Sequence, residues 1–576
     1  MKFNYKHLNP DTLKSDRLSL TKEISALSDT EINSVNSLEQ FIERVNEIEV
    51  LINETDERLC IKALLDSKNV EAASLKNEFQ SSVIDPFWKQ QKLANLAIVN
   101  SPFLPSLVEK KPVFKILQNK LKHNDILKDK DASDIEKKIF SKVDEYDVLL
   151  SEMTIDIDGK QMPLVFALSD KLRNTDREKR RAIFEKVQAI KQQYVGQLDE
   201  LYDALLELRN ANAISMGFPN YRDFRWHQKN RSYSPKDSAD LCNSIKEVFI
   251  PIQKEINNWR KNMLGFDKLM PWDLKLELFP KTNTKYFQDI DDLKAKVRRT
   301  YKKIHPDFSN FFDILAEHNH LDFDVRENKS PAWFTVNLPE TGVPFVYLMS
   351  ADANIQGITI VFHETAHAIH HMYNVDKELL WLKHPESEGS ELFAMTMEFL
   401  SMEYWDEFFS DSGDLAIAKL EKIEHCLQVF RMIGLWDRFQ TWAYLHPKHS
   451  HEARNEYWLH LLKEFDIGVE GTALDSTSWQ DRPLIFRTSF HLITYAIATL
   501  GALGIYKEFK NNKEKVIERL IKAMKLGNTA TLQEIYETAG VNFDFTKEKV
   551  NEIGTFLQEE WKALKKELDD GGSLKS

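Results

Sequence analysis

The sequence predicts a mainly α-helical protein that carries one small β-sheet. Two observations support this class. Glycine and proline, which interrupt helices, number only 18 each among the 576 residues, or about 3% each. Their average usage is roughly 7% and 5%. Apolar residues recur at helical spacing through most of the chain, whereas strand-like patterns are confined to about residues 320–350. The length is sufficient for a substantial core and more than one structural lobe.

Helical periodicity can be followed from the N-terminus onwards. The segment 16–80 alternates apolar and charged positions at helical spacing and predicts a helical hairpin. The same pattern predicts further helices at 87–99, 108–123, 132–153, 173–216, 235–265, 288–318, 414–445, 450–466, 484–508, 513–526 and 550–567. We expect residues 1–150 to form an N-terminal helical lobe and residues 569–576 to form a polar tail.

Strand signals occur in three short segments. The segments 321–325, 332–336 and 345–348 are rich in aromatic and β-branched residues. The sequence Pro339-Glu340-Thr341-Gly342 predicts a turn between the last two segments. We therefore expect one small sheet directly before the helical region that follows residue 350.

Composition argues against several functional classes. The 77 basic and 90 acidic residues give a net charge of −13, which argues against a nucleic-acid binder whose affinity comes from neutralising phosphates. The three scattered cysteines imply no disulfide framework and indicate a reducing compartment. The N-terminal residues contain no apolar signal-peptide core, and the longest apolar run, 492–506, is shorter than the ~20 residues of a membrane helix. We expect a cytoplasmic protein without nucleic-acid or membrane partners.

The stretch His363-Glu364-Thr365-Ala366-His367 predicts a catalytic zinc site. Two histidines four residues apart share one face of a helix, so both imidazoles can reach one metal ion. Glu364 projects beside the first histidine, where a carboxylate can take a proton from an attacking water. Apolar residues surround the stretch, and burying these polar groups is unfavourable unless a partner compensates. A divalent cation is one such partner, and a buried, hydrogen-bonded histidine pair is the alternative.

A catalytic zinc site needs a third protein ligand, and the next predicted helix offers carboxylates. Glu391 and Glu398 lie two helical turns apart, so they share a helix face that is otherwise largely apolar. We assign Glu391 as the third ligand and Glu398 as the carboxylate that orients a ligand histidine. Glu386 or Glu388 is the alternative third ligand, in which case Glu391 is a salt-bridge residue.

These residues carry a family resemblance. The histidine motif, followed by Glu391 and Glu398 in a methionine-rich helix, resembles the thimet oligopeptidase and oligoendopeptidase F family of zinc metallopeptidases. The segment 208–221 resembles the family's helix that ends in a Gly-Phe-x-Asn-Tyr turn, and Pro271-Trp272-Asp273 resembles a short motif that precedes the catalytic helix. We judge that the resemblance covers roughly residues 150–560.

The resemblance implies a fold, a cofactor and a class of substrate. The implied fold has two helical lobes around a deep substrate cleft, with the zinc peptidase domain over residues 151–568. One zinc ion per chain and hydrolysis of internal bonds in short, unfolded peptides are expected. The strand edge at Ala332, Trp333 and Phe334 can hold an extended peptide by strand addition.

The sequence departs from the family in the segment 483–495, whose family counterpart supplies hydrogen-bond donors to the oxyanion of peptide hydrolysis. A histidine expected near 483–485 is missing, and of the family's tyrosines only Tyr495 clearly remains. His491 lies one helical turn before Tyr495, so both can point into the cleft from one helix face. We predict that His491 and Tyr495 are replacement donors, and packing of both side chains in the core is the alternative.

Three functions are compatible with the sequence. The first is a zinc oligoendopeptidase. The second is a dipeptidyl-carboxypeptidase-type exopeptidase, which needs a cation for the C-terminal carboxylate of its substrate, and Arg487 is the candidate substrate-binding residue. The third is a zinc-containing peptide-binding protein with weakened catalysis. The sequence makes no prediction of the oligomeric state or of peptide preference.

Overall fold

The protein is mostly helical in the computed structural model, which describes residues 13–124, 130–157, 159–164, 172, 176–274, 276, 286–326, 328–329, 332–349, 355–471 and 475–570. The mainly α fold class predicted from the sequence is therefore confirmed. Among the described residues, no helix is both long enough and apolar enough to cross a membrane. The cytoplasmic location stays a prediction.

The chain divides into two compact units, each assembled from three separate stretches of sequence. The first unit comprises Met1–Asp125, Lys285–Asp411 and Gly501–Phe543, and the rest of the chain forms the second unit. The linear boundary that we expect at residue 150 stays a prediction, because this division follows contacts rather than chain order. All five residues of the predicted zinc site belong to the first unit.

Helices form most of the first unit. Its α-helices are Leu13–Ala26, Val35–Leu65, Val70–Phe79, Asp85–Val99, Leu104–Lys110, Phe114–Asn124, Ile290–Ile304, Pro306–Glu317, Ile355–Met372, Ser387–Ser401, Lys513–Met524 and Leu532–Ala539. The longest of them begins with a capping box, in which Ser34 and Ser37 satisfy each other's main-chain N–H groups. Its apolar face, including Leu38, Phe41 and Ile48, is buried in the core of this unit.

The second unit is also built mainly from helices. Its α-helices are Lys130–Glu152, Arg177–Gln192, Val195–Ser215, Tyr221–Gln228, Pro235–Met263, Ser412–Leu445, His451–Glu464, Pro483–Arg487 and Lys547–Asp570. The helix Leu492–Asn511 contributes its residues up to Leu500 to this unit.

The described strands form two small sheets rather than the single sheet expected. In the second unit, β1 (Thr154–Ile157) pairs antiparallel with β2 (Lys160–Pro163). In the first unit, β3 (Leu321–Asp322), β4 (Trp333–Val336) and β5 (Phe345–Leu348) form a sheet in the order β3-β5-β4. The β5 strand runs parallel to β3 and antiparallel to β4. The predicted three-strand region is thus confirmed, and β4 lies at one edge of its sheet.

The β1–β2 hairpin was missed because its strands contain few apolar residues: β1 reads Thr-Ile-Asp-Ile and β2 reads Lys-Gln-Met-Pro. The sequence nevertheless contains a local signal. Asp158-Gly159 is a residue pair typical of tight hairpins, and Gly159 has a φ of 79°, which favours glycine.

Two segments that the sequence pattern predicts as single helices are each broken in two. The segment 173–216 breaks near Tyr194, where the next helix begins. The segment 288–318 breaks at His305, whose backbone is extended, with a φ of −160° and a ψ of 139°. The cause there is Pro306, because a proline disfavours helical backbone at the preceding residue.

The predicted helix over 484–508 is also wrong as a single element. A short helix, Pro483–Arg487, is followed by a turn, and a second helix begins at Leu492. Within the turn Phe490 has a φ of 59°, a left-handed conformation that residues other than glycine rarely adopt. His491 therefore lies immediately before the second helix and not in the middle of a continuous one.

Candidate metal centre

The helix Ile355–Met372, called the motif helix below, carries both candidate histidine ligands and Glu364. His363 exposes 8% of its surface and Glu364 exposes 6%. Thr365 lies within the helix, and its hydroxyl is 2.5 Å from the hydroxyl of Tyr301 on the neighbouring helix Ile290–Ile304. A buried helix with such contacts holds its side chains in defined positions, which a metal site requires.

The helix Ser387–Ser401, called the glutamate helix below, packs against the motif helix and brings Glu391 towards the two histidines. The Nε2 atoms of His363 and His367 are 3.2 Å apart. Glu391 Oε2 lies 3.4 Å from His363 Nε2 and 3.9 Å from His367 Nε2. Three potential ligand atoms thus lie within 4.8 Å of one another.

Glu398 lies behind His363, on the side away from His367. Its Oε1 atom is 2.7 Å from His363 Nδ1. This carboxylate accepts a hydrogen bond from Nδ1–H, so Nε2 is the nitrogen whose lone pair can bind a metal when the imidazole is neutral. The position agrees with the orienting role that we predict for Glu398.

The ionisable groups of this cluster have strongly shifted pKa values. Burial opposes protonation of His363, but its hydrogen bond to Glu398 and the charge of Glu391 raise its pKa to about 9. Burial, and then the nearby His363, lower the pKa of His367 well below its usual range. Burial raises the pKa of Glu391 to about 7, although the nearby His363 lowers it, and Glu364 and two further carboxylates add to the increase. Without a cation, the charged forms of Glu391 and Glu364 are therefore disfavoured.

The donor set fits zinc. Two imidazole nitrogens and one carboxylate oxygen are a usual set of protein ligands for a catalytic zinc ion, which leaves a further position open. Glu391 Oε2 is buried and has no hydrogen-bond donor among the residues that the structure describes. A buried polar atom without a partner is rare in folded proteins, and a bound cation would satisfy it. Across the described ranges, His363, His367 and Glu391 form the only such group of three potential ligands.

Glu364 is held by a neighbouring strand. Thr335 on β4 places its Oγ1 atom 2.9 Å from Glu364 Oε2 and 2.6 Å from the main-chain oxygen of Glu364. Burial raises the pKa of Glu364, whereas His363 and the Thr335 hydrogen bond lower it. A carboxylate whose pKa lies above its usual value is a better proton acceptor, which suits a general base.

The predicted substrate strand has two different faces. Phe334 stacks on Tyr347 of β5, with ring centroids 5.0 Å apart and an interplanar angle of 11°. Trp333 is 46% exposed. Among the described strands β4 pairs only with β5, so it is the edge strand that strand addition requires. Ala332 lies just before it, and its carbonyl accepts the N–H of Met349 at 2.8 Å.

His491 and Tyr495 lie in the second unit, where the rings are adjacent in a T-shaped arrangement with centroids 5.2 Å apart. Lys229 Nζ is 3.3 Å from His491 Nδ1. Burial and the charges of Lys229 and two arginines lower the pKa of His491 to about 4. His491 is therefore neutral near pH 7. A neutral imidazole has one N–H and one acceptor nitrogen, so it retains the capacity to donate.

Long-range contacts hold the turn before His491. The main-chain N–H of Phe490 donates to Gln440 Oε1 at 2.9 Å. Arg209 is fully buried and donates to Tyr444 and Ser489, at 2.9 Å each. The same guanidinium reaches carbonyl oxygens in the last turn of the helix Pro483–Arg487, where a cation is favoured by the helix dipole. Sequence reasoning missed these residues, because nothing in the segment 483–495 indicates partners so distant in sequence.

Arg487 forms an ion pair in the second unit. Its guanidinium lies 2.7 Å from Asp147 Oδ1. This pairing favours the salt-bridge role over the substrate-binding role, which stays a prediction.

A sequence comparison establishes the family. Residues 171–555 match the family model described as Peptidase family M3. The chain belongs to peptidase family M3. This result confirms the resemblance to the thimet oligopeptidase and oligoendopeptidase F group.

Relatives of this M3 family member agree in fold. An oligoendopeptidase F homologue from Borreliella burgdorferi is 21% identical over 318 residues, which are 54% of this chain and 52% of that protein. The chain thus matches about half the length of this curated relative. The structure of PZ peptidase A with an inhibitor has a TM-score of 0.85 at 19% identity and covers 98% of this chain and 99% of its own. A protein from Bacillus anthracis str. Ames assigned as an oligoendopeptidase F has a TM-score of 0.82 at 20% identity, over 98% of both chains.

The structure brings together the residues that the sequence assigns to the metal. His363, His367 and Glu391 converge, with Glu364 beside them and Glu398 behind. Glu391, and not Glu386 or Glu388, forms the group of three potential ligands. Thr335 is a further polar residue of this site that the sequence did not indicate.

Proposed function

We propose that this chain is a zinc-dependent oligoendopeptidase that hydrolyses internal bonds of short peptides. The convergence of His363, His367 and Glu391 carries the proposal, because three such donors next to a buried glutamate form a site for metal-assisted hydrolysis. Membership of family M3 agrees with peptidase chemistry.

The chain's own residues have distinct roles in this chemistry. A zinc ion held by His363, His367 and Glu391 would supply a Lewis acid that polarises the scissile carbonyl. Glu364 accepts a proton from water as the water oxygen bonds to the carbonyl carbon. The same proton then passes from Glu364 to the leaving amide nitrogen as the C–N bond breaks. Glu398 keeps His363 in the tautomer that presents Nε2.

The edge strand β4 is proposed to hold the substrate. A peptide added in an extended conformation would form main-chain hydrogen bonds with this edge, which gives affinity without strong sequence preference. Trp333, which is 46% exposed, is proposed to contact a substrate side chain. Most main-chain groups of a folded protein are already hydrogen-bonded, so short unfolded peptides suit such an edge better.

We further propose His491 and Tyr495 as donors to the oxyanion. Their rings are adjacent, and a neutral His491 keeps one N–H that can donate. A donor aimed at a developing oxyanion is often worth ~3 kcal/mol. Exopeptidase activity gains no support from Arg487, because its guanidinium is paired with Asp147.

Product analysis tests the proposal. The zinc-loaded protein is incubated with two nonapeptides of the same sequence, one blocked at both ends and one with free ends, and the products are sequenced by mass spectrometry. Internal cleavage of the blocked peptide that stops on zinc chelation and returns with added zinc is expected. Dipeptide release only from the free C-terminus would instead identify an exopeptidase, and binding without cleavage would identify a peptide-binding protein.

A further inference from the structure

Thr335 is the polar residue through which the edge strand contacts the general base. Its hydroxyl oxygen is 2.9 Å from Glu364 Oε2. Among the described residues, no other side chain or main-chain group forms a hydrogen bond with this carboxylate. We propose that Thr335 is a positioning residue that holds the Glu364 carboxylate in its reactive orientation, an inference that rests on the proposed peptidase function.

The strand geometry explains why Thr335 reaches Glu364. Side chains alternate between the two faces of a strand. Phe334 and Val336 point to one face of β4, where both belong to an apolar cluster with Tyr347. Trp333 and Thr335 therefore share the opposite face. Thr335 pairs with Val346 of β5 in the ladder, so its position is fixed by the sheet.

The hydroxyl also fixes the strand to the motif helix. Thr335 Oγ1 lies 2.6 Å from the main-chain oxygen of Glu364, in addition to its contact with the carboxylate. A threonine hydroxyl has one proton and can donate to only one of these oxygens at a time. Both acceptors belong to Glu364, so whichever bond forms keeps β4 against this one residue.

This contact links substrate position to proton transfer. The strand that carries Thr335 is the edge on which we place the peptide, and the residue that it holds is the one that takes the proton. A general base must lie within hydrogen-bond reach of its proton, and small displacements at a reacting centre lower the rate strongly. Thr335 therefore sets the distance between base and substrate through a single side chain.

The replacement Thr335→Val tests the role. Valine keeps the β-branched shape that suits a strand but lacks the hydroxyl. We expect kcat for the blocked nonapeptide to fall about tenfold, equivalent to ~1.4 kcal/mol, with KM changed less than about twofold. Zinc content, melting temperature and affinity for the same peptide with a reduced scissile bond should stay near wild type. Thr335→Ser, which restores the hydroxyl, should recover most of kcat.

Thr396→Val is the matched control. Thr396 is a buried threonine on the glutamate helix, and its hydroxyl donates to Leu392 of the same helix at 2.6 Å. Its replacement should leave kcat unchanged. If Thr335→Val does not fold, Thr335→Ala removes the same hydroxyl, and the same loss of kcat is expected.

The outcomes separate this inference from the proposed function. A wild-type protein without zinc-dependent cleavage would contradict the proposed function itself. An active wild type with unchanged kcat in Thr335→Val would overturn only the positioning role. A lower melting temperature and a higher KM at constant kcat would likewise overturn it, because that pattern describes a residue that only stabilises the strand.

Discussion

The metal cluster of the first unit and the segment 483–495 of the second unit are built in different ways. In the metal cluster the two histidines are four residues apart on one helix, and Glu391 and Glu398 are seven apart on another. In the segment 483–495 a left-handed residue, Phe490, separates two helices. Regular helical spacing thus defines the first region, and irregular backbone defines the second.

The two regions also differ in what holds them. Within the metal cluster Glu398 contacts His363 directly, and the two residues lie on neighbouring helices of one unit. The turn before His491 depends on Gln440 and Arg209, far away in sequence. This difference agrees with where the sequence departs from its family.

The largest loss of activity is expected for Glu364→Gln. The amide keeps the size of the side chain but cannot accept the proton, so turnover should fall by ~10²–10⁴. Zinc content should remain at one per chain, which separates chemistry from metal binding. Steady-state kinetics with metal analysis checks both, and Glu388→Gln on the other helix serves as the control. Normal peptide cleavage by Glu364→Gln would show that another group is the base.

A smaller loss is expected for changes in the second region. Tyr495→Phe and His491→Ala should each lower kcat about a hundredfold, equivalent to ~3 kcal/mol, with a lesser change in KM. Since the pKa of His491 is about 4, its charge should not change between pH 6 and 8, and kcat should show no step from this group there. Lower stability with unchanged kcat would mean that both residues only pack the core.

A loss of metal affinity is expected when the partner of His363 is removed. Glu398→Ala should weaken zinc binding by about 10–100-fold, the usual effect of losing a carboxylate that orients a ligand histidine. Competition with a chelator of known affinity measures this change. Thr396→Ala on the same helix should retain the wild-type affinity. An unchanged zinc affinity in Glu398→Ala would contradict the role of Glu398 in orienting His363.

The smallest effect on activity is expected at the turn itself. Gln440→Met leaves the buried N–H of Phe490 without an acceptor, which should lower the free energy of unfolding by ~1–3 kcal/mol. Turnover should fall only a few-fold, because His491 and Tyr495 are still present. Zinc content should not change, since Gln440 and Phe490 lie in the second unit and the metal cluster lies in the first. Loss of zinc in this variant would contradict the expectation that Gln440 affects only the turn before His491.

The fold class and the metal cluster could be predicted because both depend on local spacing. The motif helix and the glutamate helix are indicated by site residues four and seven positions apart, and β4 and β5 are indicated by short apolar runs. The helix over 484–508 could not be predicted as broken. Apolar residues at helical spacing lie on both sides of Phe490, and the hydrogen bond from its N–H to Gln440 joins residues 50 positions apart in the chain.

Thr335 illustrates the same limit within the site itself. It lies 29 residues before Glu364 in the chain, and no motif links the two. Only the pairing of β4 with β5 and the packing of the sheet against the motif helix place its hydroxyl at the carboxylate. Ligands on a common helix can be read from spacing, but a residue brought in by tertiary packing cannot.

The zinc content of Glu391→Ala tests the central claim most directly. The purified variant and a Glu388→Ala control are dialysed against limiting zinc, and bound metal is measured by mass spectrometry together with the folded fraction. The account predicts about one zinc per chain in the wild type and in Glu388→Ala, and a folded Glu391→Ala protein with little bound zinc, because one of three ligands is lost. Full zinc occupancy in Glu391→Ala would contradict the assignment and move the third ligand to Glu386 or Glu388.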